Sequence, residues 1–303
     1  MRKIISFVVA VGLCISTMAT SAFAMENTSA ENEVQTLNEF DYITELEQAT
    51  TEELAELGLT KQDVENISAQ FEAALQDRAS LPDSELIGMG YTTEEINSFR
   101  AYANGARLVD AEVRGLAGTC TGNITLRNCG TKYATFSYTW EWDHCPLMPL
   151  SDSAAVRWLA YDTNGYEFSV IQTGLDVEIE YYWNNTLQFT REGEEEPGLE
   201  FNTVNIQFDV TEIFYKSNTI PEEAYAKKGK ITISVQVDDS VNNQINYILV
   251  AGLYGHTIIG SISPSVSLSP GASVSIDFSG NLSIDSVAPK KAKIGRGSTI
   301  TYL

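Results

Sequence analysis

The sequence predicts an α+β protein in which a small all-helical N-terminal unit precedes a larger antiparallel β-sandwich. Apolar residues recur at helical spacing between residues 41 and about 104, whereas beyond residue 118 they alternate with polar residues. No helix-length pattern separates the alternating segments, so we expect antiparallel strands without crossover helices. Closure of the same strands into a barrel would satisfy this pattern equally well.

Residues 1–24 have the composition of a secretory leader. Arg2 and Lys3 precede an apolar run over residues 4–15, and residues 22–24 are Ala-Phe-Ala. A positive start, an apolar stretch and a small-x-small site are typical of a signal peptide that is removed on export. We therefore expect a secreted, extracellular protein whose mature chain begins near residue 25.

The predicted helical unit spans residues 41–112, after a polar and acidic segment, residues 25–40, that we expect to be flexible. It contains an internal repeat, because residues 53–60 resemble residues 85–92. Each copy predicts a short helix, a left-handed glycine, an apolar residue, a threonine cap and a second helix. The unit could serve as a pro-segment, an interaction module or a cap on the sandwich.

The predicted sandwich spans residues 118–303 and contains several strands with a period of two, each expected to bury one face. Its clearest apolar sets are listed here: Ala134, Phe136, Tyr138, Trp140 and Trp142; Val177, Ile179 and Tyr181; Val204, Ile206, Phe208 and Val210; Ile231, Ile233, Val235 and Val237.

The acidic composition excludes one class of partner. With 41 acidic and 19 basic residues, the chain has a formal net charge of −22 and should repel nucleic acid and anionic lipid. We identify no catalytic residue, no metal ligand and no cofactor site, because the common hydrolase, zinc and phosphate-loop motifs are absent from the sequence. The oligomeric state is left open.

Three cysteines follow the leader. Cys120 and Cys129 are close enough in sequence to form a disulfide across a hairpin, provided that they lie on paired strands. Cys145 lies in the sequence Trp-Asp-His-Cys-Pro over residues 142–146, the most reactive-looking cluster of the chain. Neighbouring residues in a strand point to opposite faces, so we interpret this cluster as a strand end with a buried or disulfide-bonded thiol.

Aromatic residues suggest a binding surface. Tyr181, Tyr182 and Trp183 are consecutive, so at least one should point away from the core, and Trp140 and Trp142 share a face. Flat rings on a sheet face can stack on sugar rings, as in many carbohydrate-binding modules. These five residues are our candidate binding residues for an extracellular glycan or protein.

Residues 261–286 form a serine-rich segment in which apolar residues alternate on both sides of Pro270-Gly271. Such amphipathic hairpins resemble the membrane-inserting hairpins of β-pore-forming toxins, in which one face meets lipid and the other lines water. An edge hairpin of a soluble protein has the same alternation.

The function that these observations favour is a secreted, non-enzymatic binding or interaction protein. Two alternatives remain at this stage: a β-pore-forming protein that uses the hairpin 261–286, and a secreted hydrolase. Contact with a membrane is expected only for the pore-forming alternative.

Overall fold

The structure is a computed structural model that describes residues 35–195, 202–215, 221–269, 273–294 and 300–302, with side chains at residues 36–55, 57–193, 202–215 and 222–257. It contains both helices and antiparallel sheets, which confirms the mixed character of the predicted fold class. The expected leader, residues 1–24, lies outside the described residues.

Six helices occupy the first third of the described chain. They are α1 (Glu39–Gln48), α2 (Thr51–Glu56), α3 (Lys61–Ser80), α4 (Asp83–Gly88), α5 (Thr93–Ala103) and α6 (Asp110–Leu116). Among them, none is both long and apolar enough to cross a membrane.

The internal repeat appears as the same turn built twice. Gly58 and Gly90 have φ angles of 74° and 95°, a region that favours glycine, and Thr60 and Thr92 then begin α3 and α5 with capping boxes. The repeat therefore predicts these helix ends correctly from local sequence.

Seven strands form the first sheet, sheet A: β1 (Gln35–Asn38), β2 (Thr119–Cys129), β3 (Tyr133–Trp142), β6 (Ile171–Trp183), β7 (Thr186–Arg191), β10 (Thr211–Tyr215) and β11 (Pro221–Gln236). Their order is β1-β2-β3-β11-β6-β7, and β10 pairs with one end of β11. Strand β1 falls within the segment expected to be flexible, so ordered structure begins before residue 41.

Seven further strands form sheet B: β4 (Ser151–Tyr161), β5 (Glu167–Phe168), β8 (Glu194–Glu195), β9 (Thr203–Asp209), β12 (Tyr247–Ser269), β13 (Ser273–Ile294) and β14 (Ile300–Tyr302). Their order is β14-β13-β12-β4-β9-β8, and β5 pairs with β4. Strand β12 pairs with β4 only up to Gly255, and its remainder pairs with β13 as a two-stranded ribbon.

One apolar core is shared by the two sheets. Trp140 of β3 stacks on Phe208 of β9, with ring centroids 5.5 Å apart, and Phe136 packs against Trp158 of β4. The alternating residues of sheet A thus bury their apolar side against sheet B, and their polar side faces outward.

Gly229 of β11 lets the Trp140 ring lie directly over the backbone. A Cβ atom built on Gly229 would be 1.9 Å from the nearest ring carbon of Trp140. No side chain fits at this distance, so the indole position and the local form of sheet A depend on the glycine.

We predict that Gly229→Ala lowers the free energy of unfolding by about 3 kcal/mol, because the buried indole has to move away from the new methyl group. Urea denaturation of the purified protein measures this change. Gly174→Ala in the adjacent strand β6 is the matched control, since its Cβ would be an ordinary 3.5 Å from Ser234. Equal effects of the two substitutions would contradict the packing argument.

The helices and the sheets meet at a buried polar junction centred on Glu39. Its carboxylate accepts hydrogen bonds from the backbone N–H groups of Leu147 and Met148, at 2.8 and 2.9 Å, and its Oε1 lies 3.0 Å from Nε2 of His256. On the other side of the ring, Nδ1 of His256 lies 2.9 Å from Oδ1 of Asp152. All three side chains are fully buried. The first residue of α1 is therefore bonded to sheet B and to the loop after β3.

More contacts join the same loop to the helices. Arg78 of α3 donates a hydrogen bond to the carbonyl oxygen of Pro146 at 2.8 Å. The hydroxyl of Tyr91 donates one to the carbonyl oxygen of Cys145 at 3.0 Å. The helical core also takes in Leu147 and Met148 from this loop. The helices are thus packed onto the sheets through apolar and polar contacts alike.

We predict that Glu39→Gln lowers the free energy of unfolding by about 3 kcal/mol, because it leaves the buried His256 with one charged partner instead of two. Thermal and urea denaturation measure the loss. Glu45→Gln, on the exposed side of the same helix, is the control and should behave like the wild type. A Glu39→Gln protein as stable as this control would show that the buried carboxylate has no such role.

Candidate functional site

An open groove of about 650 Å³ runs across the outer face of sheet A. Four adjacent strands, β2, β3, β11 and β6, supply its floor and walls. Its lining residues are polar apart from Trp140 and Gly229, and they are listed here: Thr119, Thr121, Asn123, Thr139, Glu141, Asp143, Glu178, Glu180, Lys228 and Lys230.

The strand register explains why these residues share a surface. Asn123, Thr139, Lys230 and Glu178 form one row across the four strands, and Thr121, Glu141, Lys228 and Glu180 form the next. The β2 residues in these rows have shorter side chains than those of β11 and β6.

Charges in the groove are partly paired. Nζ of Lys228 lies 2.8 Å from Glu141, and Nζ of Lys230 lies 3.1 Å from Glu178. Both pairs are partly exposed, so they contribute little to stability and remain available to a ligand. Because the lining contains four carboxylates and two lysines, the groove suits a neutral ligand rich in hydrogen-bond donors better than an anionic one.

Tyr182 is not among the residues that line the groove, but it contacts one of them. Its hydroxyl donates a 2.8 Å hydrogen bond to the lining residue Glu180, and Nζ of Lys227 lies 6.0 Å from the ring centroid. Partial burial, together with the hydrogen bond and the charge of Glu180, raises the pKa of Tyr182 to about 12. The ring is neutral and half-buried, and it lies beside the polar groove rather than in its lining.

The other four aromatic candidates are placed differently. Trp140, Trp142 and Tyr181 are buried in the core between the sheets, so these three cannot form the expected stacking surface. They lie on the apolar side of their alternating strands, which is the side that packs into the core, so the alternation itself predicts their burial. Trp183 is half-buried and packs against Gly88 of α4, where a Cβ would be 2.3 Å from the ring. It therefore contacts the helices.

The possible disulfide between Cys120 and Cys129 is not formed, and both are thiols. They lie near the two ends of the single strand β2, about 30 Å apart at the usual rise per residue. Two cysteines can pair across a hairpin only when they lie on opposite strands, and here the hairpin partner of β2 is β3.

The cluster at residues 142–146 does not form a nucleophile. Cys145 is buried, and its Sγ lies 3.5 Å from Nη2 of Arg78. Burial raises the pKa of the Cys145 thiol, although the charge of Arg78 opposes the rise. The ring nitrogens of His144 bond the carbonyl oxygens of Gly115 and Cys145, at 2.9 and 3.1 Å. These contacts are consistent with our interpretation of the cluster as the end of a strand with a buried thiol.

The junction of Glu39, His256 and Asp152 has the residue types of a catalytic site but not the access. Asp152 also accepts hydrogen bonds from the hydroxyl of Tyr254 and from the backbone N–H of Thr257. Burial lowers the pKa of His256, but the charges and hydrogen bonds of Asp152 and Glu39 outweigh this effect and raise it to about 10. The imidazole is therefore protonated at neutral pH and acts as a buried cation between two carboxylates.

We predict that stability falls as pH rises through the alkaline range. The pKa of His256 is higher in the folded state than its ordinary 6.5, so its stabilisation is complete below pH 6.5 and is lost as pH approaches 10. The loss should be on the order of a few kcal/mol. Urea denaturation at pH 6, 8 and 10 measures it. In Glu39→Gln the decline should be smaller, and a wild-type stability that stays flat to pH 10 would contradict the assignment.

The groove residues were missed as a group by sequence reasoning. The sequence shows the acidic residues of β6 as the polar positions of an alternating strand. No pattern in the neighbouring sequence shows that β11 lies between β3 and β6. Strand β11 pairs with residues more than 40 positions away on β6 and about 90 positions away on β3. Long-range pairing of this kind brings Thr139, Lys230 and Glu178 together.

Comparisons with known proteins do not identify a family. No family model and no curated protein matches the chain. A solved structure described as "AvmM Catalyzes Macrocyclization in Alchivemycin A Biosynthesis" is similar over 54% of this chain and 87% of its own, with 13% identity and a TM-score of 0.22. A likeness this weak supports no argument about function.

Proposed function

We propose that this chain is a secreted, non-enzymatic binding protein that holds a neutral glycan in the groove on the outer face of sheet A. The two sheets would be the layers of the expected β-sandwich, and the helical unit would be its cap. The observation that carries the proposal is the groove itself, with a polar lining from four strands, a volume of about 650 Å³ and Tyr182 hydrogen-bonded to its lining residue Glu180.

The chemistry of the lining suits a sugar. Asn123, Glu141 and Glu178 offer planar polar groups that can bond pairs of sugar hydroxyls, and threonine hydroxyls act as donors or acceptors. The ring of Tyr182 can pack against the apolar C–H face of a sugar, because an aromatic side chain combines apolar surface with a polar tip. The excess of carboxylates over lysines disfavours anionic polymers.

The same lining disfavours catalysis. No histidine or cysteine lines the groove, and two of its four carboxylates are paired with lysines. A hydrolase would require two carboxylates positioned on either side of a glycosidic bond. The hydrolase alternative predicts turnover of a bound glycan, whereas the binding proposal predicts retention without turnover.

The pore-forming alternative rests on a different observation. Beyond Gly255, the described part of β12 pairs with β13 and no longer with β4, so residues 261–269 and 273–283 belong to a two-stranded ribbon, whereas residues 284–286 still lie beside the part of β12 that pairs with β4. The side chains that would face lipid lie outside the described residues. This alternative predicts leakage of dye from liposomes, lost in Ile276→Asp.

We predict that Tyr182→Ala weakens binding to insoluble neutral glycans by about tenfold. This corresponds to the loss of one contact between the ring and a sugar, with a binding free energy of about 1.4 kcal/mol. The protein would be secreted from the full-length gene, purified from the medium and titrated onto cellulose, chitin and xylan. Tyr182→Phe, which keeps the ring, should retain most of the affinity.

Tyr166→Ala is the matched control, because Tyr166 is a highly exposed tyrosine in the turn that leads to β5, away from the groove. It should bind as the wild type does. Saturable binding that Tyr166→Ala and Tyr182→Ala reduce equally would show that the groove is not the site. Absence of retention on all three polymers would contradict the glycan proposal.

A further inference from the structure

Strand β10 is an edge strand of sheet A. It pairs with one end of β11 and with no other described strand. The carbonyl oxygen of Val210 accepts a 2.8 Å hydrogen bond from the backbone N–H of Ala226 on β11, which fixes the alternation of the ladder. Phe214 therefore directs its backbone N–H and C=O groups to β11, whereas Ile213 and Tyr215 direct theirs to the opposite, unpaired edge.

The same strand exposes large apolar side chains. Ile213 and Tyr215 are each 64% exposed. Natural edge strands are usually protected by lysine, by proline or by a covering element, and the sequence of β10, Thr-Glu-Ile-Phe-Tyr, contains neither residue. Its one charge, on Glu212, is paired with Arg191 of β7 at 2.9 Å. An unpaired backbone edge beside exposed apolar side chains is the arrangement that accepts an additional strand.

Acidic residues surround this edge. Residues 209–223 include four acidic residues and one lysine. Glu223 lies opposite Ile213 on β11 and is exposed. Glu222 lies opposite Phe214, and one of its carboxylate oxygens has no hydrogen-bond partner within the described part of the chain. The edge of β10 therefore lies in a negative local field.

The charge decides between two possible occupants of the edge. A second copy of this chain, with its formal net charge of −22, would bring two sets of these carboxylates together. A segment that alternates apolar residues with lysine or arginine would instead match the surroundings. Because side chains alternate between the two faces of a strand, its apolar residues can pack beside Ile213 and Tyr215 while its cations lie on the face of Glu222.

We propose that the free edge of β10 binds an extended, basic segment of another polypeptide as an additional strand of sheet A. Main-chain hydrogen bonds would supply affinity, and the alternating side chains would supply specificity. The site is separate from the glycan groove. The groove is lined by residues 228–230 of β11, whereas β10 pairs with residues 221–225.

The test measures fluorescence anisotropy of a labelled octapeptide of alternating valine and lysine, with both ends blocked, titrated with the full chain. Saturable binding is expected below about 1 mM. The same peptide methylated at every backbone nitrogen cannot donate to the ladder and should bind at least tenfold more weakly. A peptide of alternating valine and glutamate should also bind at least tenfold more weakly, because it meets like charges.

Three variants locate the site. Ile213→Pro removes an N–H group from the free edge, a position at which a strand tolerates proline, and should weaken binding at least tenfold. Replacing Glu222 and Glu223 together by glutamine should weaken it about fivefold. Leu187→Ser is the control, since Leu187 is a 46% exposed residue of the other edge strand β7, and it should bind as the wild type does. Circular dichroism confirms that each variant is folded.

Four outcomes would overturn the proposal. They are the absence of saturable binding, equal binding of the methylated or the glutamate peptide, an equal loss in Leu187→Ser and Ile213→Pro, and a dimer in sedimentation equilibrium that Ile213→Pro converts to monomer. The last result would assign the edge to a second copy. Retention on glycans is measured on the same variants and should not change, so a failure of the edge site does not count against the groove.

Discussion

The carboxylate of Glu39 is the contact on which the arrangement of helices and sheets depends. It bonds the loop after β3 through two backbone N–H groups and bonds sheet B through His256. A buried carboxylate without partners would be strongly unfavourable, and here its partners come from two other parts of the chain, the loop after β3 and strand β12. The start of α1 can therefore occupy only one position relative to the sheets. Because the loop after β3 is bonded in turn to Arg78 of α3 and to Tyr91 in the turn before α5, the same constraint extends into the helical part of the protein.

This constraint bears on what the helices do. Among the three roles that sequence left open for them, the contacts support a cap better than a separable pro-segment. Loss of the helices would expose His256 and the apolar residues Leu147 and Met148, and it would leave Trp183 without the helix that it packs against. The helices contact sheet A at the end of β6, where Trp183 packs against Gly88, and the residues that line the proposed binding groove all come from the sheet or the loop after β3.

Local sequence predicts the parts of this fold that local physics decides. Threonine caps and left-handed glycines mark the helix ends at Thr60 and Thr92, and alternation marks most strands of sheet A. The apolar side of an alternating strand faces the core, so the alternation predicts the burial of Trp140 and Trp142, and their selection as surface residues because they are aromatic was wrong. The sequence shows no sign of the role of Glu39, which lies in a polar, acidic segment. Glu39 matters because it bonds His256, which lies far along the chain. The groove likewise depends on long-range pairing, since β11 lies between β3 and β6.

The separation between Glu39 and His256 also has a kinetic meaning. These residues are 217 positions apart, so their hydrogen bond closes a loop that includes most of the protein. Contacts of such long range form late, because the entropy of loop closure must be overcome before the bond contributes. The N-terminal helices can form early, but they cannot settle against sheet B until β12 has been synthesised and paired. The amino end of the polypeptide is thus the first part to be made and among the last to reach its final place.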